Sequence, residues 1–192
     1  MSMSKKISVE RYGEELEKIF SIKKMAIFLC GPSYRDKKNP GAKLRKKIEG
    51  VLKKEDFEVV LGEDDGLEFL RKKYNTYAHI NELNFIKGNH CGAVIIIAHS
   101  VGAYCELGLF SYETIQSTDR ATDFIVIISK EFKRRKSFLN EGPARAIRDY
   151  GKVYYADLDN FDHTDLVERL KRRRSVYPTN MRGRPLGWSK RK

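Results

Sequence analysis

The chain has 192 residues, a formal net charge of +12, 41% hydrophobic and 33% charged residues, which suits one α/β domain able to build its own core. No apolar run approaches the ~18 residues of a membrane span, and the charged, amphipathic N-terminus lacks the apolar stretch of a signal peptide, so a cytoplasmic protein with no membrane partner is expected. The three cysteines (Cys30, Cys91, Cys105) and four histidines (His79, His90, His99, His163) make no C-x-x-C pair and no metal-ligand spacing, which predicts reduced thiols and no metal site.

In chain order, Val9–Phe20 predicts a leading helix with Val9, Tyr12, Leu16, Ile19 and Phe20 on one face. "KMAIFLC" reads as a buried strand that ends in the Gly/Pro-rich loop "GPSYRDKKNPG". A helix is expected over Ala42–Lys54, with Leu44, Ile48, Val51 and Leu52 apolar. "FEVVLG" gives a second strand and "EDDG" an acidic turn. A long helical region, broken or not, follows over Leu67–Lys87. "GAVIIIA" is the third strand and Ala103–Ile115 its helix; "DFIVIIS" is the fourth strand and "GPARAIRDYG" a short helix. "KVYYADL" is the fifth strand, and a closing helix runs from about His163 to Arg174. Ten Lys/Arg and no acid lie between Arg169 and Lys192, with Tyr177 and Trp188 among them. Such a tail can neutralise phosphates and stack bases, or serve only as a solubilising end. The expected organisation is an N-terminal helix over 1–24, an α/β domain over 25–168 and a basic tail over 169–192.

Unbroken β-branched runs between helices predict a mainly parallel five-stranded sheet with helices on both faces, a flavodoxin/Rossmann-like doubly wound fold of order 2-1-3-4-5. Ligands of such sheets bind at the strands' C-terminal ends, which gathers "CGPSYR", "GEDDG", "AHSVGAYCE" and "SKEFKRRKSF" at one edge.

Several chemistries compete for that edge. Ala98-His99-Ser100-Val101-Gly102 approximates a nucleophile elbow, with Asp123 or Asp157 and then His163 in the right chain order for a serine hydrolase. The plainer reading is that Ser100 caps a helix or holds a ligand hydroxyl. Cys30 and Arg35 invite comparison with a cysteine phosphatase loop, but four residues separate them where five are needed, so Cys30 reads as a buried strand-end thiol. Walker and G-x-G-x-x-G patterns are absent. Val101-Gly102-Ala103 places small residues where a sugar or base can approach, and Glu106 is expected in the first turn of the helix, near its positive end. There a carboxylate can attack an anomeric carbon or steady oxocarbenium charge, or act only as a helix-dipole partner. Arg35 and Lys130 are rim cations able to contact phosphate, solvated charge being the simpler role for Lys130.

"VGAYCELGLFS" resembles the G-x-x-x-E-x-G signature of nucleoside 2-deoxyribosyltransferase-like proteins, related in architecture and chemistry to TIR-type NAD glycohydrolases. With "FLCGPS", "LGED" and "KSFLNEGPARAI" in order from about Met25 to Tyr155, the chain is most similar to retron-associated antiphage effectors of that superfamily. The resemblance implies an N-glycosidase acting on NAD or a nucleoside or nucleotide as substrate, with no cofactor and with Glu106 as the catalytic carboxylate. It implies that Gly31, Pro32 and Ser33 line the nucleotide pocket, that Glu63 and Asp64 lie near the sugar or base, and that Ser100 and Gly102 shape the ribose site. It also implies a toxin restrained by a reverse transcriptase and its RNA and multicopy DNA, which the basic tail could contact, in a homo-oligomer or complex. Deoxyribosyltransferases proper carry an Asp just before the glycine motif, where this chain has His99-Ser100; that departure points away from free-nucleoside base exchange. A catalytically silent nucleotide sensor or nucleic-acid-binding module is the competing class.

Overall fold

The computed structural model describes residues 25–63, 71–88, 91–116, 122–134 and 136–176. The expected helix over Val9–Phe20, Asp64, and the tail beyond 176 lie outside the described residues. Five parallel strands, β1 (Ala26–Cys30), β2 (Glu58–Leu61), β3 (Ala93–Ala98), β4 (Asp123–Ser129) and β5 (Lys152–Ala156), form one sheet of order β2-β1-β3-β4-β5. The helices are α1 (Pro40–Lys54), α2 (Ala78–Gly88), α3 (Val101–Gln116), α4 (Phe138–Glu141), α5 (Pro143–Tyr150) and α6 (Thr164–Val176). This is the expected doubly wound architecture.

The sheet is buried on both faces, so consecutive strand residues serve different cores. Ile27 and Leu29 of β1, Ile95 and Ile97 of β3, and Ile125 and Ile127 of β4 pack with Leu44, Ile48 and Leu52 of α1 and Leu166 and Leu170 of α6. Phe28, Cys30, Val94, Ile96, Val126 and Ile128 face the opposite way, onto Ile86 of α2, Leu107 and Phe110 of α3, and Ala144 and Ile147 of α5. None of these alternating residues can be polar, which is why the strands read as continuous apolar runs.

Helix ends depart from expectation where capping overrides propensity. Asn39 Oδ1 accepts the Gly41 and Ala42 amides at 2.9 and 3.3 Å, and Pro40 supplies the first helical residue, so α1 starts ahead of Ala42. Ser100 Oγ likewise accepts the Ala103 amide at 3.3 Å, and α3 starts at Val101 rather than Ala103. The long helical region is broken: Asn75 has φ 48, and α2 begins only at Ala78. A 3-10 turn over Lys130–Phe132 and the four-residue α4 precede α5, both too short to show a period in the sequence. The residues placed at the start of the basic tail continue α6, where Arg169 pairs with Asp123, Lys171 with Glu55, and Arg174 donates to the Glu55 carbonyl.

Candidate functional site

The chain passes from β1 outward to β2 and then back across to β3, so the connections diverge between β1 and β3. A crevice at the C-terminal ends of those two strands is where an open α/β sheet takes a ligand. Two loops meet there. The Asn39 side chain donates to the His99 carbonyl at 3.2 Å, and a Cβ on Gly41 would stand 2.7 Å from His99 Cβ. The glycine therefore lets the β1–α1 and β3–α3 connections close on one another.

Beneath them lies Arg45 of α1, 2% exposed. Its guanidinium donates to Glu63 Oε1 and Oε2 at 2.6 and 2.7 Å, a bidentate pair. It also donates to the Leu29 carbonyl at 2.9 and 3.3 Å and to the Pro32 carbonyl at 3.3 Å. These bonds offset the several kcal/mol that burying an unpaired ion costs. The Tyr34 ring stacks on its other side, 4.9 Å from Cζ, while Tyr34 donates its hydroxyl proton to Glu49 at 2.6 Å. Gly31 makes this packing possible. Its φ of +153 is open to glycine, and a Cβ there would lie 3.2 Å from both Arg45 Cδ and Ile97 Cβ.

Glu106 comes from α3. The helix starts at Val101, so Glu106 is its sixth residue and sits in the second turn, not the first as expected. The helix dipole consequently offers it less, since that effect fades beyond the terminal turn. Its Oε2 is buried without a hydrogen-bond partner. Burial first, then the charge of Glu82, push its carboxyl up to about 8; Arg45 and a hydrogen bond from the Cys30 thiol oppose that shift. Glu82 of α2 is 9% exposed, and its Oε1 lies 2.6 Å from where a Cβ on Gly62 would be. Burial, then Glu63, raise its proton affinity as well. The Cys30 thiol is driven far above its ordinary range by burial and by Glu106, so it is an inert donor rather than a thiolate. The centre thus holds three carboxyls, Glu63, Glu82 and Glu106, around one arginine that is already committed to Glu63.

The structure brings Gly31, Glu63 and Glu106 together, with the Pro32 carbonyl beside them. Ser33 and Arg35 are exposed in the β1–α1 loop, the Arg35 amide donating to Ser33 Oγ at 3.3 Å. Ser100 and Gly102 stand at the N-terminus of α3 on the same edge, and a Cβ on Gly102 would meet nothing within 4 Å. Lys130 pairs with Asp157 at 2.8 Å. The serine-hydrolase constellation does not assemble through Asp123, which begins β4 at the opposite edge and is held by Arg169. Asp157 is engaged by Lys130 and Ser100 Oγ by the helix cap.

Arg45 and Glu82 escaped the reading of the sequence, although each carried a signal. Arg45 falls three residues before Ile48 and seven before Leu52, and Glu82 three and four before Phe85 and Ile86. Each is a charge on the apolar stripe of its helix, where a charge is kept only if something there receives it.

A family model described as STM3845 retron effector protein matches residues 41–186, more than half of the chain. The chain belongs to this retron effector family. The match takes in Arg45, Glu63, Glu82 and Glu106 and begins after the Cys30–Arg35 loop. No curated protein and no solved structure matches the chain. Among its described residues no helix is long and apolar enough to cross a membrane.

Proposed function

We propose that this retron effector is an N-glycosidase, a ribosyl hydrolase or transferase that cleaves the N-glycosidic bond of NAD or of a nucleoside or nucleotide and serves as an antiphage toxin. The observation that carries the reading is the Glu106 carboxyl, buried at the sheet's switch point with Oε2 unpartnered beside a second buried acid, Glu82. Breaking the bond at C1′ builds positive charge on the ribosyl ring and sends an electron pair out with the base. A desolvated carboxyl group with no counter-charge of its own gains more from that cation than from the neutral ground state, which is the differential interaction that lowers a barrier.

With Glu106 raised to about 8 and Glu82 raised beside it, the two acids hold a proton at neutral pH. The ionised member steadies the ribosyl cation or attacks C1′, and the protonated one gives its proton to a departing base that needs it. Water then adds its hydroxyl at C1′ and returns a proton to the pair; a second base in place of water gives exchange. Gly31, Pro32 and Ser33 line the nucleotide pocket, Glu63 stands near the sugar or base, Ser100 and Gly102 shape the ribose site, and Arg35 meets phosphate at the rim. A reverse transcriptase with its RNA and multicopy DNA restrains the toxin, reached through the basic C-terminal segment.

The test incubates the full chain with NAD and, separately, with a nucleotide mixture, alone and with the reverse transcriptase and its RNA–DNA product. Freed nicotinamide or base is followed by chromatography. Release by the wild type and none by folded Glu106→Gln is the expected result. Nucleotide binding without release under every condition would replace the enzyme with a sensor.

A further inference from the structure

At about 100° per residue, Gly108, Ser111, Tyr112 and Ile115 lie on the flank of α3 opposite Glu106. With α4 and α5 they line a groove of about 620 Å³ on the face of the molecule, to which Phe138 and Ala146 contribute. Large apolar side chains crowd it: Phe138 is 86% exposed and Tyr112 63%, and Ile115 and Tyr150 are exposed too. Together they present roughly 400 Å² of surface, about half of the ~800 Å² that each partner of an ordinary protein interface buries.

We infer that this groove is a self-complementary interface in which two copies of the chain pack α3, α4 and α5 against each other about a two-fold axis. Two observations choose a second copy over another occupant. Knob and hole lie on the same patch: Phe138 projects from the short helix α4, while the small residues Gly108, Ser111 and Ala146 leave room for it nearby. A patch that carries both halves of a fit can satisfy itself only through a two-fold. The charges follow the same rule. Glu141, Arg145 and Asp149 line the groove, and none of the three forms an ion pair with another of the described residues, although Arg145 and Asp149 have the i,i+4 spacing that permits one. Across the axis, Arg145 of each copy meets the acids of the other, and the aromatic side chains close over the centre.

The measurement is sedimentation of the full chain, with circular dichroism to verify folding. Phe138 is exposed, so Phe138→Asp leaves the core intact and should weaken dimerisation by about 30-fold or more, the scale of an interface hot spot. The charge test is sharper. Arg145→Glu alone and Glu141→Arg/Asp149→Arg alone should each fail to self-associate, one groove being wholly acidic and the other wholly basic, while an equimolar mixture should form a heterodimer. A monomeric wild type would overturn the inference and leave the groove to another chain. So would a dimer indifferent to Phe138→Asp, or a mixture that behaves as its separate components.

Discussion

At the N-terminal edge of the sheet Asp123 and Arg169 satisfy one another through two hydrogen bonds of 2.7 and 2.8 Å, one carboxylate to one guanidinium. At the C-terminal edge Arg45 binds Glu63 in the same bidentate way, yet two further acids, Glu82 and Glu106, share its surroundings with no cation of their own among the described residues. The first edge is balanced and the second is not. A balanced buried pair is explained by folding alone. An excess of buried acid costs stability, and the excess makes sense where a positive charge arrives or develops during a reaction.

The comparison predicts opposite signs for similar substitutions. The largest effect should be on chemistry: Glu106→Gln should reduce base release by about 1,000-fold or more if its carboxylate meets the developing charge. Its effect on stability should run the other way. Because folding raises the Glu106 carboxyl from 4.5 to about 8, the folded state favours the proton, and stability held at low pH is lost as pH rises through that window. Glu106→Gln should therefore unfold later in urea at pH 8.5, by on the order of 2 kcal/mol, and show little gain at pH 4.

Asp123→Asn should do the reverse at the other edge, destabilising the chain by about 2–3 kcal/mol at neutral pH while leaving base release per folded molecule unchanged. Glu82→Gln sharpens the contrast within the site. Removing its charge should move the alkaline limb of the pH–rate profile below about 8, because one of the influences that raise Glu106 is gone. A limb that stays in place would mean that burial alone holds the proton. The smallest change is Ser100→Ala. Loss of its cap to Ala103 should cost about 1 kcal/mol, with base release weakened at the ribose site but not abolished, whereas a serine nucleophile would lose activity outright.

Much of the fold was legible because a strand buried on both faces admits no polar residue. "DFIVIIS" maps onto β4 without an offset, and the alternation of such runs with helices pointed to a parallel sheet, whose order β2-β1-β3-β4-β5 matches the flavodoxin-like pattern but is not fixed by the sequence alone. Helix starts were less legible, since Ser100 and Asn39 outweigh the weak helix propensity of Gly102 and Gly41 only once the caps form. Glu106 was legible from its local motif. Its unusual proton affinity was not, because it depends first on burial in the folded chain and then on the charge of Glu82, brought in from α2. Arg45 had the same difficulty: an arginine on an apolar stripe shows that a partner exists, but Glu63 becomes that partner only when the fold brings the residues after β2 beside α1.

The most direct measurement is the rate of base release across pH 5 to 10 for the wild type and Glu106→Gln side by side, on a nucleoside or nucleotide whose base needs a proton to leave. Wild-type release should fall above about pH 8 as the shared proton is lost, and the folded variant should release nothing at any pH. Release by Glu106→Gln at the wild-type rate, or a wild-type profile flat through pH 8, would contradict the role proposed for Glu106.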